Sequence, residues 1–337
     1  MPDRKIRRIE AGRDGADTLA SAAAARRVSL LGYGACALAS TLWGTGFYWG
    51  RLALDEMSVE HMVLYRFLFA SLGIFPVVLV HHPRMKSRDW RLLLLAAAFG
   101  VPIQFLLQFQ GLTFTTVSHA ALMVGAMPVL LAAAAAMFAG ERLNLLGWVA
   151  LCASTVGAAM VVLGGSHATT GNETPTLPGD LLVILSLISA LVWVLLSKKL
   201  LETYSAPVVS AYTILSGTLM LLAVNFAPAL LAPSTHWLVS LPPVTHVSLR
   251  AWIALAVSGV LCTAATTLLW NWGIHHVPAS RAGVFLNIEP ALGSILGVEL
   301  LGERLGPYAW LGGALIIGAA VVLISQGNEP EPEVILE

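Results

Sequence analysis

Charge is what this sequence has least of. Only 11% of its 337 residues are Asp, Glu, Lys or Arg, against roughly 25% in ordinary soluble domains. A water-soluble globule this poor in charge could not cover its surface. Cysteine is sparse too: Cys36, Cys152 and Cys262 are the full set. Each falls inside a different apolar run, without metal-ligand spacing or an oxidising loop context, so they read as small packing residues. Catalytic and nucleotide-binding signatures are also missing. The nine histidines form no His-Glu-x-x-His pair, and neither a Gly-x-Ser-x-Gly elbow nor a Gly-x-x-x-x-Gly-Lys-Ser/Thr loop occurs. The pairs His81-His82 and His275-His276 read as solvated residues in connections. No cofactor and no metal site are expected. With 19 basic and 19 acidic residues the net charge is zero, so nucleic acid is not an expected partner.

What is present is apolar sequence, 57% of the chain, and it is grouped. Runs near 30–49, 62–80, 92–110, 118–138, 145–163, 181–197, 208–231, 251–272, 282–301 and 306–324 each approach the roughly 17–25 residues that span a bilayer as a helix. The expected fold is therefore an all-α integral membrane protein with ten transmembrane helices. Residues 1–29 carry seven basic residues and read as a disordered cytoplasmic tail. They are too charged for a signal peptide, and Asp3, Glu10, Asp14 and Asp17 do not fit an acid-poor transit peptide. Residues 326–337 read as an acidic, proline-interrupted cytoplasmic tail. Arg84, Lys86, Arg88 and Arg91 crowd one connection and Lys198-Lys199 mark another, whereas 111–117 and 164–180 contain no lysine or arginine. With ten spans, every basic-rich loop falls on the side of the basic N-terminus, as the positive-inside bias requires. The expected location is the cell membrane, the inner membrane in a bacterium, with both termini cytoplasmic.

Shifted by 162 residues, the chain aligns with itself. Trp90 meets Trp252, Gly111 meets Gly273, Ser118 meets Ser280, Ala120 meets Ala282, Pro128 meets Pro290 and Trp148 meets Trp310. "GERL" at 140–143 meets "GERL" at 302–305, completing ten identities without a gap. Trp43 and Trp193 occupy similar places in spans one and six. The chain divides into a first five-helix repeat at 30–163, an external linker at 164–180 and a second repeat at 181–325. Five spans per copy make the copies inverted, which suits alternating access around a site near the midplane.

"TLWGTGF" in span one, "LYRFLFA" in span two, and the proline followed by "GERL" after spans four and nine resemble EamA-type permeases of the drug/metabolite transporter superfamily. The resemblance covers about residues 30 to 325. It implies a ten-helix permease of two inverted units, exporting amino acids, other metabolites or drugs. Relatives in the superfamily carry nucleotide sugars or phosphorylated sugars, and no invariant catalytic set comes with the family. The expected function is a secondary transporter, not an enzyme, whose partners are a small-molecule substrate, the lipid bilayer and a coupling proton. Two other classes stay open: a membrane-embedded enzyme acting on a lipid or peptide, and a channel.

The candidate site lies where polar atoms enter the spans. Gln104 and Gln108 are four residues apart and share a helix face that continues to Gly111; Thr266, Trp270 and Gly273 are their repeat counterparts. Such a face either lines a cavity or makes interhelical hydrogen bonds. Trp43, Trp193, Trp270 and Phe285 are candidate walls. Arg66 either snorkels to headgroups or pairs with an internal carboxylate. His119 and Arg281 are candidate gating residues at opposite mouths, unless they simply reach water at helix ends. Glu141-Arg142 and Glu303-Arg304 read as starts or caps of the helices that follow them. Glu289 is the sharpest candidate for binding a proton or a cationic group. It lies about 12 Å into a core about 30 Å thick, on the face of Gly293 and Gly297, beside Asn287 and the carbonyl that Pro290 leaves without a donor. Met127 stands in its place in the other repeat.

The topology is checked by reporter fusions. Fusions at residues 170 and 240 should report outside, and those at 86 and 335 inside; a terminus found outside would overturn both the span count and the inversion.

Overall fold

The computed structural model describes residues 3–81, 85–127, 129–130, 134, 145–163, 175–231, 246–277 and 282–325, with side chains from residue 26 onward. Regular structure among them is helical throughout. In chain order the helices are α1 (Asp3–Leu54), α2 (Val59–His81), α3 (Trp90–Leu112), α4 (Val117–Val124) and α5 (Leu145–Leu163). They continue with α6 (Leu177–Leu201), α7 (Ala206–Leu231), α8 (Leu249–His276), α9 (Ile288–Leu301) and α10 (Pro307–Ser325). The leader before residue 30, expected to be disordered, is instead helical from Asp3 and continuous with the first span. Its alanine run Ala22–Ala25 has high helix propensity.

Among the described residues five helices are long and apolar enough to cross a membrane: α2 over Val59–Val80, α3, α6, α7 over Ala206–Phe226, and α8. Their surfaces explain why. On α6, Leu181, Leu185 and Ile188 point outward at helical spacing, while Ser186, Ser189, Trp193 and Ser197 are buried. An exterior of leucine around an interior holding serine and arginine is stable only where lipid is the solvent.

The packing pairs helices in a regular way. α1 packs on α8 and α9, while α6 packs on α3 and α4; α2 meets α7 and α8, α7 meets α3, α4 meets α9, and α5 meets α10. Bare backbone makes two of the crossings. A Cβ on Gly111 would lie 2.9 Å from the Gly179 carbonyl oxygen, and one on Gly273 would lie 3.0 Å from that of Gly32. Two edge-to-face pairs tie α2 to α8 and α7 to α3, Tyr65 on Trp252 and Tyr212 on Trp90, both at 76°.

α3 and α8 are each interrupted by a π-helical turn, at Phe99–Ile103 and Val260–Ala265, positions that the 162-residue shift superposes. Such turns release carbonyls from the helix ladder. In α3 the freed Phe99 carbonyl accepts the Ser189 hydroxyl at 2.7 Å, and Pro102 inside the turn removes a further donor.

The second "GERL" caps a different helix from the one expected. Gly302 ends α9 in the left-handed region at φ 68°, where a residue without Cβ is unstrained. That turn sends Glu303 back to α4, not on to α10. Its two carboxylate oxygens accept the N–H groups of Val117 and Ser118 at 2.8 and 2.7 Å, satisfying donors that a helix start leaves unpaired. The first "GERL", with Glu141-Arg142, lies outside the described residues.

Glu303→Ala removes both acceptors and is expected to lower stability by about 1–2 kcal/mol, read as an earlier unfolding midpoint in detergent. Arg304→Ala, at an exposed position, should stay within about 0.5 kcal/mol. Equal midpoints for the two variants would contradict the cap.

Candidate functional site

One cavity gathers most of the polar residues the sequence marks out. It contains about 760 Å³ of space not filled by protein atoms, its open part included. That is room for a small organic solute but not for a macromolecule. Arg66 from α2, Gln104 and Gln108 from α3, and Glu289 from α9 supply its polar lining; Trp43 from α1, Trp193 from α6 and Trp270 from α8 supply broad apolar walls. Met127, the counterpart of Glu289, lines the same cavity.

Arg66 is almost completely buried, so it does not snorkel. Among the described residues it makes no ion pair with a carboxylate either. Its Nε donates to the Thr263 hydroxyl at 2.9 Å, and Nη2 donates to the Cys262 carbonyl, which belongs to the π turn of α8, at 3.4 Å. The guanidinium also lies 4.7 Å from the ring centre of Phe105 and 5.3 Å from that of Phe109, a favourable contact for a desolvated cation. Nη1 has no hydrogen-bond partner among the described residues.

The other lining groups are held by packing. Gln104 and Gln108 share the face expected, just after the π turn of α3. Phe105 and Phe109, one residue further along, stack at 18° and form the shelf for Arg66. Trp43 and Trp270 lie against each other at 5.4 Å. Trp193 presses on Gly100. The counterpart of that contact is Cys262 against Gly46, so Trp193 corresponds in space to Gly46, not to Trp43 as the sequence alignment suggests. The indole N–H groups of Trp193 and Trp270, and Oε1 of Gln104, likewise find no partner among the described residues.

Glu289 reaches the cavity because its helix is narrow on the adjoining face. A Cβ on Gly293 would stand 2.7 Å from the Ala121 side chain, and one on Gly44 would stand 3.2 Å from the Glu289 carbonyl oxygen. α1 and α4 thus close on α9 along the small-residue stripe. Glu289 and Arg66 are near enough for their charges to interact, yet they make no ion pair within 4.0 Å.

Three expectations turn out differently, and a fourth falls outside the described residues. Asn287 is buried but is not part of the cavity lining. Phe285 packs on Tyr33 at 6.0 Å. Arg281 lies outside the described residues. His119 does not reach water at a helix end; it is fully buried and faces Asp180 of α6. Asp180 is the residue that sequence reading missed, because it was assigned to the linker. Thr176 and Pro178 already mark a helix start there: the Thr176 hydroxyl accepts the Gly179 N–H, which places Asp180 in the first turn.

With the fold and cavity described, comparison with known proteins is informative. An uncharacterized transporter of Bacillus subtilis, YetK, is 24% identical over 303 residues, covering 89% of this chain and 88% of that protein. A probable terminal-alkyne amino-acid exporter of Streptantibioticus cattleyicolor is 26% identical over 303 residues, covering 87% of this chain and 92% of its own length. A solved crystal structure superposes with a TM-score of 0.61 at 19% identity, over 90% of this chain and 99% of the other, a likeness of fold. The profile of the EamA-like transporter family matches residues 30–163 and again 177–325, most of the chain. This multi-pass membrane protein belongs to the EamA-like transporter family.

Proposed function

We propose that the protein is a secondary transporter that exports a small amphoteric solute, of the amino-acid type, through the cavity between two inverted five-helix units. The observation that carries this reading is the presence of both Arg66 and Glu289 in the lining of one cavity. Opposite charges line one cavity without neutralising each other, among tryptophan and phenylalanine rings. An ammonium group suits Glu289 and the Gln104 oxygen. A carboxylate suits Arg66 Nη1 and the indole N–H groups of Trp193 and Trp270. Buried groups of this kind are costly unless they have a task. The name of the Streptantibioticus relative, a probable amino-acid exporter, agrees with the same solute class.

Alternating access is supported by the packing. Exchanging each helix with the one five places away turns α1–α8 into α6–α3, α1–α9 into α6–α4 and α2–α8 into α7–α3, and returns α2–α7, α4–α9 and α5–α10 to themselves. The π turns, the glycine crossings and the tyrosine–tryptophan pairs follow the same exchange. In this reading the chain has ten spans, units at 30–163 and 181–325, an external linker at 164–180 and both termini in the cytoplasm. Glu289 exists in one unit only, so it serves as the group that takes up a proton or the substrate amine during the cycle.

The test is counterflow of a neutral apolar amino acid in proteoliposomes, with and without a pH gradient. Glu289→Gln keeps the shape of the side chain and should elute as a folded protein. It should lose roughly tenfold or more in transport, the factor expected when a charged hydrogen-bond partner is removed, or lose its response to the gradient. A folded Gln variant with unchanged rate and unchanged pH response refutes the role. Turnover of a lipid or peptide without uptake would instead support the enzyme reading.

A further inference from the structure

Away from the cavity lies a buried titratable pair that the transport path does not use. His119 is in the first turn of α4 and Asp180 in the first turn of α6, with side-chain exposures of 0% and 2%. Nε2 of His119 lies 3.2 Å from Oδ1 of Asp180 and 3.3 Å from Oδ2, and Thr115 donates to Oδ1 at 3.3 Å. Nδ1 is buried and has no hydrogen-bond partner among the described residues. With Nε2–H donating to the carboxylate, Nδ1 is the vacant base.

The pair sits within a larger junction. The Thr176 N–H and hydroxyl both donate to the Phe114 carbonyl at 3.0 Å, and Gly179 backs onto Phe114 while Gly111 backs onto Gly179. The α3–α4 turn and the start of α6, one from each half of the chain, are therefore joined through backbone, hydroxyl and charge together. The surrounding charged groups are few. Glu303 holds the Val117 and Ser118 N–H groups. Arg51 of α1 donates to the Leu112 carbonyl at 3.2 Å and faces Asp55 at 3.6 Å. α6 carries no other charge before Lys198 and α3 none after Arg91, while Arg304, Glu299 of α9 and Tyr308 of α10 are exposed.

We propose that His119 and Asp180 form a proton-binding site, distinct from the cavity, that clamps the α3–α4 turn onto α6 when protonated and loosens when the proton leaves. A neutral ring beside an ionised carboxylate leaves one negative charge buried in apolar surroundings, which is costly. A proton on Nδ1 makes the pair neutral overall and turns the Nε2–H contact into a hydrogen bond between opposite charges, the stronger kind. Loss of the proton favours separation and entry of water. By the basic-loop argument this junction is at the external end, so external acidity holds that end closed. Its gating meaning rests on the transporter reading; the proton site itself does not.

Hydrogen–deuterium exchange on the full chain in nanodiscs tests this without any transport assay. After correction for the intrinsic pH dependence, protection of peptides covering 113–120 and 176–183 should fall roughly fivefold, the ratio expected when the donor of a hydrogen-bonded ion pair loses its charge. The change should appear as the pH is raised and reverse as it is lowered. His119→Gln and Asp180→Asn keep hydrogen-bonding groups in place but cannot make the ion pair, so both should give a flat profile. A flat profile in the native protein, or a native-like fall in folded His119→Gln, overturns the proposal.

Discussion

A charge inside hydrocarbon has to be answered by protein, because no water is present to do it. Arg66 imposes that requirement on the whole centre of this molecule. Its guanidinium takes a carbonyl that only an irregular helix can offer, and the π turn of α8 offers it at Cys262. Helices must then come close around a large side chain. Gly259 lets α8 lie against the backbone of α2 at Arg66, and Gly46 lets α1 lie beside the guanidinium. Phe105 and Phe109 place α3 beneath it. The cavity is the space that remains once these contacts are made.

Helix starts show the same economy in connections outside the membrane. The Glu56 carboxylate, in the α1–α2 connection, accepts the Ser248 N–H at 2.6 Å and its hydroxyl at 2.5 Å. The side-chain and backbone bonds from Ser248 hold Glu56 below its ordinary titration range, so this tie is present at neutral pH and is lost in acid. In the α6–α7 connection, the Tyr204 hydroxyl accepts the Lys86 N–H and donates to Asp89, reaching the start of α3. Short connections thus fasten helices that are distant in sequence, as Glu303 fastens α9 to α4.

The sequence made the class of protein legible because lipid leaves few choices. Runs of twenty apolar residues, the ten identities at a fixed shift and the charge bias of the loops all follow from one-dimensional pattern. The cavity was legible where the signal was a polar group in an apolar run, as with Gln104, Gln108, Arg66 and Glu289. Partners were not. Nothing in "LYRFLFA" says that Arg66 will find a carbonyl almost two hundred residues away, since that depends on a π turn, and α8 has no proline to announce one. Trp193 was matched to Trp43 by residue type, whereas helix crossings match it to Gly46. His119 was placed at the surface because it stands at a helix end. In a bundle with short connections, a helix end can still lie beneath another helix.

The glycine crossings have a mechanical meaning. Where Gly111 meets Gly179 and Gly273 meets Gly32, backbone lies on backbone, and the side chains of Val183, Phe114, Cys36 and Val277 fill the remaining space. A methyl group at any of these four positions would act as a wedge between the paired helices.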